Sequence, residues 1–464
     1  MPSTHRTPEF AAIVLAAGKS TRMKSKLPKP LHSIAGKPLI EHVIKALADA
    51  GASRIVTVVG YQAELLQSAI GDKSEFVLQA EQRGTGHAVQ MAAPLLGDWA
   101  GPVLIVPGDA PLITSEAITS LLEGHADRAA TVLTVRLDRP HGYGRVIRDA
   151  QGLVTAIVEE KDATEEQRRI DEVNVSIYAF AAPFLFESLS KVTPNNKQGE
   201  YYLTDVIAIA NEQGHAVGAL TWSDPDVGRG INNRVELAQA SEILRSRILR
   251  KLMLDGVTIV DPSSTFIDAD VRIGADTTVH PFTIITGATD IGEDCNIGPG
   301  ARVENSVVGN AVRIRDSHVV SSEVGDGTTI GPFANLRPGS VTGKKVKIGD
   351  FVELKQTVLE DGVSAGHFAY LGNALVGART NIGAGTITCN YDGKNKHKTT
   401  IGPDSFIGSN STLVAPVAIG SGAFIAAGST IVEDVPEDAL ALGRARQTTK
   451  PGWASERRNR QAAK

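Results

Sequence analysis

Cysteine is nearly absent from this sequence: Cys295 and Cys389 are the only two in 464 residues. Two cysteines cannot build a disulfide framework, so the fold must rest on packing. Aromatic residues make up only 5% of the chain, and no uninterrupted apolar run reaches bilayer-spanning length. A dominant charge is missing too. The net charge is −5, from 47 basic and 52 acidic residues, which leaves no electrostatic footprint for nucleic acid. The opening stretch MPSTHRTPEF has no apolar centre of the kind a signal peptide carries. A soluble cytoplasmic protein, bound to neither membrane nor nucleic acid, is expected.

What is present falls into two halves with different patterns. FAAIVLAAG is a continuous apolar run ending at glycine, as a buried parallel strand reads. PLIEHVIKALADAG follows, with Leu39, Ile40, Val43, Ile44 and Leu47 at helical spacing. RIVTVVG, FVLQ and PVLIVPGD read as further strands, and GHAVQMAAPLL as a helix. The alternation predicts an α/β, Rossmann-like domain over residues 1–231, a parallel sheet with helices on both faces. Ligands in such sheets bind beyond the carboxyl ends of the strands, where the turns after Leu15 and at Gly108-Asp109 fall. Residues 232–256 read as one connecting helix with an apolar stripe of Val235, Leu237, Ile243, Leu244, Ile248, Leu249, Leu252 and Met253.

From residue 257 to 445 the period becomes six. Ile267, Ile273, Val279, Ile285, Ile291, Ile297 and Val303 form one frame, and Ile401, Ile407, Leu413, Ile419, Ile425 and Ile431 another. Between them lie Val324, Ile330 and Leu336, then Ile348 and Leu354. Hexapeptide periodicity predicts a parallel β-helix. Glycines after the periodic residue, such as Gly274, Gly292, Gly298, Gly331, Gly383, Gly402, Gly408 and Gly420, are expected to permit its corners. TITCNYDGKNKHKTT breaks the period and must loop outward. Residues 446–464 read as a basic, solvated tail.

The turn LAAGKSTRMKSKLPKPL suggests phosphate binding, yet it is not a Walker loop. That motif needs glycine five positions before Gly18, where Ile13 stands. The chemistry becomes specific only when motifs are taken together. LAAGKSTRM with LPKPLH, QAEQRGTGHA, PGD, HGYGRV, IVEEKDA, GINNR, IGPFANLRPG, GHFAYLGNA and NIGAGTITCNYDG occur in order from about Ala11 to Trp453. In these the chain closely resembles the bacterial bifunctional family of N-acetylglucosamine-1-phosphate uridyltransferase / glucosamine-1-phosphate acetyltransferase.

The resemblance implies a left-handed β-helix, two reactions and a set of residues. Leu15, Ala16, Ala17 and Gly18 would form the nucleotide turn, where small side chains let backbone N–H groups approach phosphate. Arg22 and Lys29 would supply positive charge to UTP and the sugar phosphate. Asp109 and Asn232 match the Mg2+ positions, a donor set that suits a hard cation which also binds phosphates. Asn232 could equally cap the following helix, and the two roles are compatible. Gln79, Gly84 and Thr85 match the residues that read uracil; Gly144, Glu159 and Asn174 match those that hold the sugar. Pro107 replaces a frequent tyrosine and Ser20 a frequent glycine; Pro107 cannot donate a backbone hydrogen bond, so local nucleotide contacts are expected to differ.

In the second half, acetylating an amino sugar requires a neutral amine and therefore a base, a task suited to histidine. His367 matches the family's base. Arg337, Lys355, Tyr370 and Asn381 match contacts to the amino-sugar phosphate. Ala384, Asn390, Tyr391, Ser409, Ala427 and Arg444 match the acetyl-CoA side. Transfer straight from the thioester needs no acyl-enzyme, so Cys389 reads as packing and Cys295 as a corner or interior residue. The family implies a homotrimer acting on small molecules. Two alternatives remain at this stage: a β-helix that serves only for assembly, and a zinc enzyme on a β-helix. His280, His318, His367 and His397 show no ligand spacing for the latter.

Overall fold

A computed structural model describes residues 9–19, 21–126 and 128–463. The opening octapeptide and Ser20 therefore lie outside the described residues. The chain divides into two compact units between Leu244 and Arg245. Among the described residues no helix is long and apolar enough to cross a membrane.

The first unit is built on one sheet. Its strands are β1 (Ala11–Ala16), β2 (Arg54–Val59), β3 (Glu75–Leu78), β4 (Pro102–Pro107), β5 (Ala130–Arg136), β6 (Gly144–Arg148), β7 (Val154–Val158), β8 (Glu172–Ala181) and β9 (Val217–Thr221). Their order is β9-β5-β8-β4-β1-β2-β3, with β6 and β7 appended through β8. The expected alternation holds at β1–β4, which are parallel neighbours. Alternate residues of β1 explain its apolar run: Ala11 and Ile13 enter one core, Ala12, Val14 and Ala16 the core on the opposite face. A wholly parallel sheet is not what forms, because β8 runs antiparallel to β4, β5 and β6. Helix Leu39–Asp49 buries all five apolar positions named above.

The connecting helix runs Arg234–Leu254. Leu237, Ile243 and Leu244 pack with Ile34, Leu39, Leu112 and Ile231, while Leu249 and Leu252 enter the core of the second unit. The helix therefore serves two cores in succession rather than one along its length. Val235 and Met253, expected in its stripe, join neither core and are exposed.

The second unit coils through three parallel sheets of 11, 10 and 9 strands, from Thr258–Ile259 to Leu440–Ala441. The periodic residues named above line its single core, fully or partly buried. Coil length varies, and this is why the six-residue frame slips. Thr278 pairs with Asn296 and Glu353 with Tyr370, but Arg302 pairs with His318, which makes coils of 18, 17 and 16 residues. Ala374 pairs with Thr399, a spacing of 25, so one coil holds eight more residues than the 17 of its neighbour. Those residues form the expected outward loop. Asp392 ties it together by accepting from the backbone of Lys394 and Asn395 and from His397 Nε2.

The expected corner role holds for Gly298 and Gly331, at φ 98° and 102°, but not for the other glycines named above. Most corner residues with positive φ are not glycine; Asp294, Asn305, Lys345 and Phe368 are examples. Gly408 has no positive φ, yet a Cβ there would lie 2.5 Å from the Ala427 nitrogen and 2.6 Å from the Ile425 oxygen. Glycine at such positions answers close stacking of successive coils, not corner torsion. Cys295 is buried in this core, and burial pushes its thiol pKa up. Cys389 is half-buried and free. The C-terminal segment holds an exposed helix, Trp453–Ala462, that its basic composition did not reveal.

Candidate functional sites

In the first unit a cleft of about 470 Å³ opens at the carboxyl ends of β1 and β4. Leu15, Ala16, Ala17, Gly18, Arg22, Lys29, Gln79, Gly84, Thr85 and Asp109 all line it, together with Pro107. Its two founding turns touch, since the Gly108 N–H donates to the Leu15 carbonyl at 2.9 Å. Asn232 reaches the same place from the helix entry: its Oδ1 accepts from Arg22 Nη2 at 2.8 Å and Lys29 Nζ at 3.2 Å. Lys29 is also ion-paired with Asp109. A cationic head thus sits between one carboxylate and one amide oxygen, so these donors converge where a cation is favoured. Among the described residues no group of three or more His, Cys, Asp or Glu could hold a metal. A two-oxygen set completed by substrate phosphate fits Mg2+ better than a closed cage does.

Asn232 does not cap the helix. Asn233 does: its Oδ1 accepts from the Val235 and Glu236 N–H groups, and Glu236 accepts from the Asn232 N–H in return. The Asn232 side chain is thereby left for the cleft.

Gly144, Glu159 and Asn174 are brought together one strand away. Gly144 pairs with Asn174 across β6 and β8, and a Cβ on Gly144 would lie 3.4 Å from Glu159 Oε1. Burial pushes the Glu159 carboxyl up, helped by Asp162 and Asp205. A break in the β8 register follows Asn174, and Ser176 there has φ 61°. The bulge turns Ser176 into the cleft lining. Ser176, Thr21, Gln82 and Glu200 line the cleft without having been singled out from the sequence.

In the second unit the candidate residues gather around one corner. His367 ends strand Ser364–His367 and Tyr370 begins strand Tyr370–Gly372. His367 Nδ1 is hydrogen-bonded to Asp350 Oδ1, and this bond holds the Asp350 carboxyl below the ordinary carboxylate range. Asp350 pairs with His367 one coil earlier, at a spacing of 17 residues, which a six-residue period does not single out. Coil by coil, the Asn410 N–H donates to Ala384, the Gly428 N–H to Ser409, and Arg444 Nη1 to Ala427 at 2.7 Å. Ala384, Ser409 and Ala427 therefore form one line of carbonyls ending at a guanidinium. On the other side of the corner Arg337 is paired with Glu353 at 2.9 Å, and Lys355 stands beside Gly372. Asn381 pairs with Ser364 from the strand one coil later in the same sheet.

Asn390 and Tyr391 are placed apart from the carbonyl line. A Cβ on Gly372 would lie 2.6 Å from Tyr370 Oη and 2.7 Å from Asn390 Nδ2, so both polar groups close around that glycine. Asn390 is buried and donates to Asn373, whereas Tyr391 is exposed under Lys396, whose Nζ is 4.1 Å from the ring centre.

Comparison with known proteins matches both halves. Residues 12–192 match the MobA-like NTP transferase domain, 254–352 the GMPPB C-terminal domain, and 398–433 the bacterial transferase hexapeptide of six repeats. Over 444 residues the chain is 50% identical to "Bifunctional protein GlmU" of Geobacillus sp. (strain WCH70), covering 95% of this chain and 97% of that protein. It is 48% identical over 448 residues to the protein of the same name from Streptococcus agalactiae serotype V, covering 96% and 98%. A solved UDP-glucose pyrophosphorylase complexed with UDP-glucose covers 52% of this chain and 99% of that one, at 19% identity and TM-score 0.43. With the stacked parallel sheets, the hexapeptide match makes the second unit a left-handed β-helix following an α/β nucleotidyltransferase domain.

Proposed function

We propose, from the premise that this chain belongs to the GlmU family of bifunctional enzymes of UDP-N-acetylglucosamine synthesis, that each half carries one reaction on the residues placed above. The chain is a nucleotidyltransferase and an acetyltransferase in one polypeptide. Its domains divide at 1–231, a linker helix at 232–256, the β-helix at 257–445 and a tail at 446–464. The co-substrates are acetyl-CoA and UTP, the metal is Mg2+, the assembly is a homotrimer and the compartment is the cytoplasm. The exposed, stacked ladder of Phe333, Phe351 and Phe368 supports association through the β-helix.

In the second unit His367 is the general base. Asp350 accepts its Nδ1–H and so leaves Nε2 as the basic nitrogen. Nε2 takes a proton as the amine nitrogen of glucosamine 1-phosphate attacks the thioester carbonyl carbon. The C–N bond forms, the C–S bond breaks, and the thiolate leaves with the proton that His367 returns. Arg337, Lys355, Tyr370 and Asn381 hold the sugar phosphate. The line of Ala384, Ser409 and Ala427 receives the pantetheine arm, with Arg444 toward a coenzyme phosphate and Asn390 and Tyr391 contributing to the acetyl-CoA side from the outward loop.

In the first unit an oxygen of the sugar phosphate attacks the α-phosphorus of UTP, and pyrophosphate departs. Asp109 and Asn232 would hold Mg2+, which when bound supplies charge neutralisation across the phosphates. Leu15 to Gly18 cradle the nucleotide, and Arg22 and Lys29 hold two anions that repel each other. Gln79, Gly84 and Thr85 take the base; Gly144, Glu159 and Asn174 take the sugar.

The observation that carries this reading is the line from Asp350 and His367 through three small residues to Arg444. Acetyl-CoA consumption with glucosamine 1-phosphate tests it, comparing the native chain with His367→Ala. Pyrophosphate release is followed in the same samples. Acetyl transfer is expected to fall by about 10³-fold or more with pyrophosphate release unchanged. A native chain without acetyl transfer would make the β-helix an assembly module.

A further inference from the structure

Gln79 is a buried amide, 3% exposed, just after β3. Its Nε2 is 3.2 Å from the Gly84 carbonyl and 3.0 Å from His87 Nδ1. The Gly84 oxygen can only accept, so the atom facing it must be the amide nitrogen. That nitrogen can only donate, so His87 Nδ1 accepts and both N–H bonds of the amide are committed. What Gln79 offers to the cleft it lines is the carbonyl oxygen, an acceptor alone.

The frame around this pair is rigid. The Gly86 N–H donates to Tyr201 at 2.8 Å, and the Tyr201 N–H donates to Arg83 at 2.8 Å. Gly84 has φ 114°, and a Cβ there would lie 2.6 Å from the Tyr201 oxygen. The turn therefore presents its carbonyl and His87 in one arrangement. His87 itself is half-buried on the short helix Thr85–Gln90 and matches none of the base-reading positions assigned above.

We infer that His87 is a specificity-determining positioning residue: it locks the Gln79 amide so that only its oxygen faces the base, selecting uridine over cytidine nucleotides. This rests on the reading of Gln79 as the uracil contact. Uracil presents an N3–H donor between two carbonyls, which an acceptor oxygen satisfies. Cytosine presents a bare N3, and the same oxygen leaves two acceptors facing each other. An amide free to turn over would donate its N–H to cytosine and lose the discrimination. His87 reinforces the Gly84 carbonyl against the turn, because a reversed amide would set its oxygen against Nδ1, at the shorter of the two distances, as well as against that carbonyl.

The test measures kcat/KM for UTP and for CTP, with N-acetylglucosamine 1-phosphate and Mg2+, in the native chain, His87→Ala, His87→Asn and Gln79→Ala. His87→Ala is expected to lower the UTP:CTP ratio about tenfold, mostly by improving CTP. His87→Asn, whose Oδ1 can stand near Nδ1 as an acceptor, is expected to restore most of the ratio. A ratio that falls in Gln79→Ala and stays native in His87→Ala overturns the inference and leaves the Gln79 reading standing. A ratio unchanged in Gln79→Ala overturns both. Should His87→Ala fail to fold, His87→Phe, which fills the ring volume without an acceptor, is judged by the same outcomes.

Discussion

Single side chains decide more here than their neighbourhoods suggest. Asp350 is exposed enough to be solvated, yet it fixes which nitrogen of His367 carries the proton. Asp350→Asn is expected to lower acetyl-transfer kcat roughly 10²-fold with little change in the KM for acetyl-CoA, and steady-state kinetics would reveal it. His367 was legible because a motif surrounds it. Asp350 was not, because its link to His367 runs across a coil of 17 residues rather than along the chain. The pair Asn232-Asn233 shows the opposite limit. Two adjacent asparagines carry the same prior for capping, and only the hydrogen bonds assign the cap to Asn233. His125 carries a different kind of constraint. Burial, with Arg128 adding to it, lowers its pKa to about 4. Its folded value lies below its unfolded one, so its contribution is present above about pH 6.5 and is lost as pH falls toward 4. Urea unfolding of the first unit is expected to show a loss of about 3 kcal/mol over that window from this group. His125→Gln should flatten the dependence.

Elements impose their own rules on glycine. Gly408→Ala places a methyl against backbone of the next coil, with no flexible side chain to yield. A loss of about 1–3 kcal/mol is expected, read as a lower thermal midpoint of the β-helix. Gly124 lies within helix Ser115–His125 with nothing within 4 Å of a Cβ, so Gly124→Ala should instead stabilise by about 0.5–1 kcal/mol. The coil was readable because one apolar residue in six must fill a narrow interior, and Ile330, Leu336 and Ile348 do so wherever the frame falls. The stacking role of glycines such as Gly408 was not readable, since stacking distance leaves no trace in a single coil. The linker helix likewise announced its length, while Val235 and Met253 betrayed that its apolar residues serve two surfaces in turn.

Taken as a whole molecule, the first half was legible where strands are buried on both faces and run parallel, as β1, β2 and β4 do. The expected parallel sheet gives way at β8, a strand the sequence pattern did not single out and whose direction depends on partners distant in sequence. The cleft emerged from residues that the motifs had already named; the adjoining Ser176 needed the β8 bulge to reach it. The second half carries one further consequence in its unequal coils. Turns of 16, 17, 18 and 25 residues coexist in one column, and each later strand still meets its neighbour. A gene encoding such a column tolerates the loss or gain of a codon at a corner, because the error ends within one turn. The same deletion inside β1 would invert every residue that follows it in that strand. Length variation among descendants of this gene should therefore collect at the corners of its second half, where the column already accommodates an outward loop of eight extra residues.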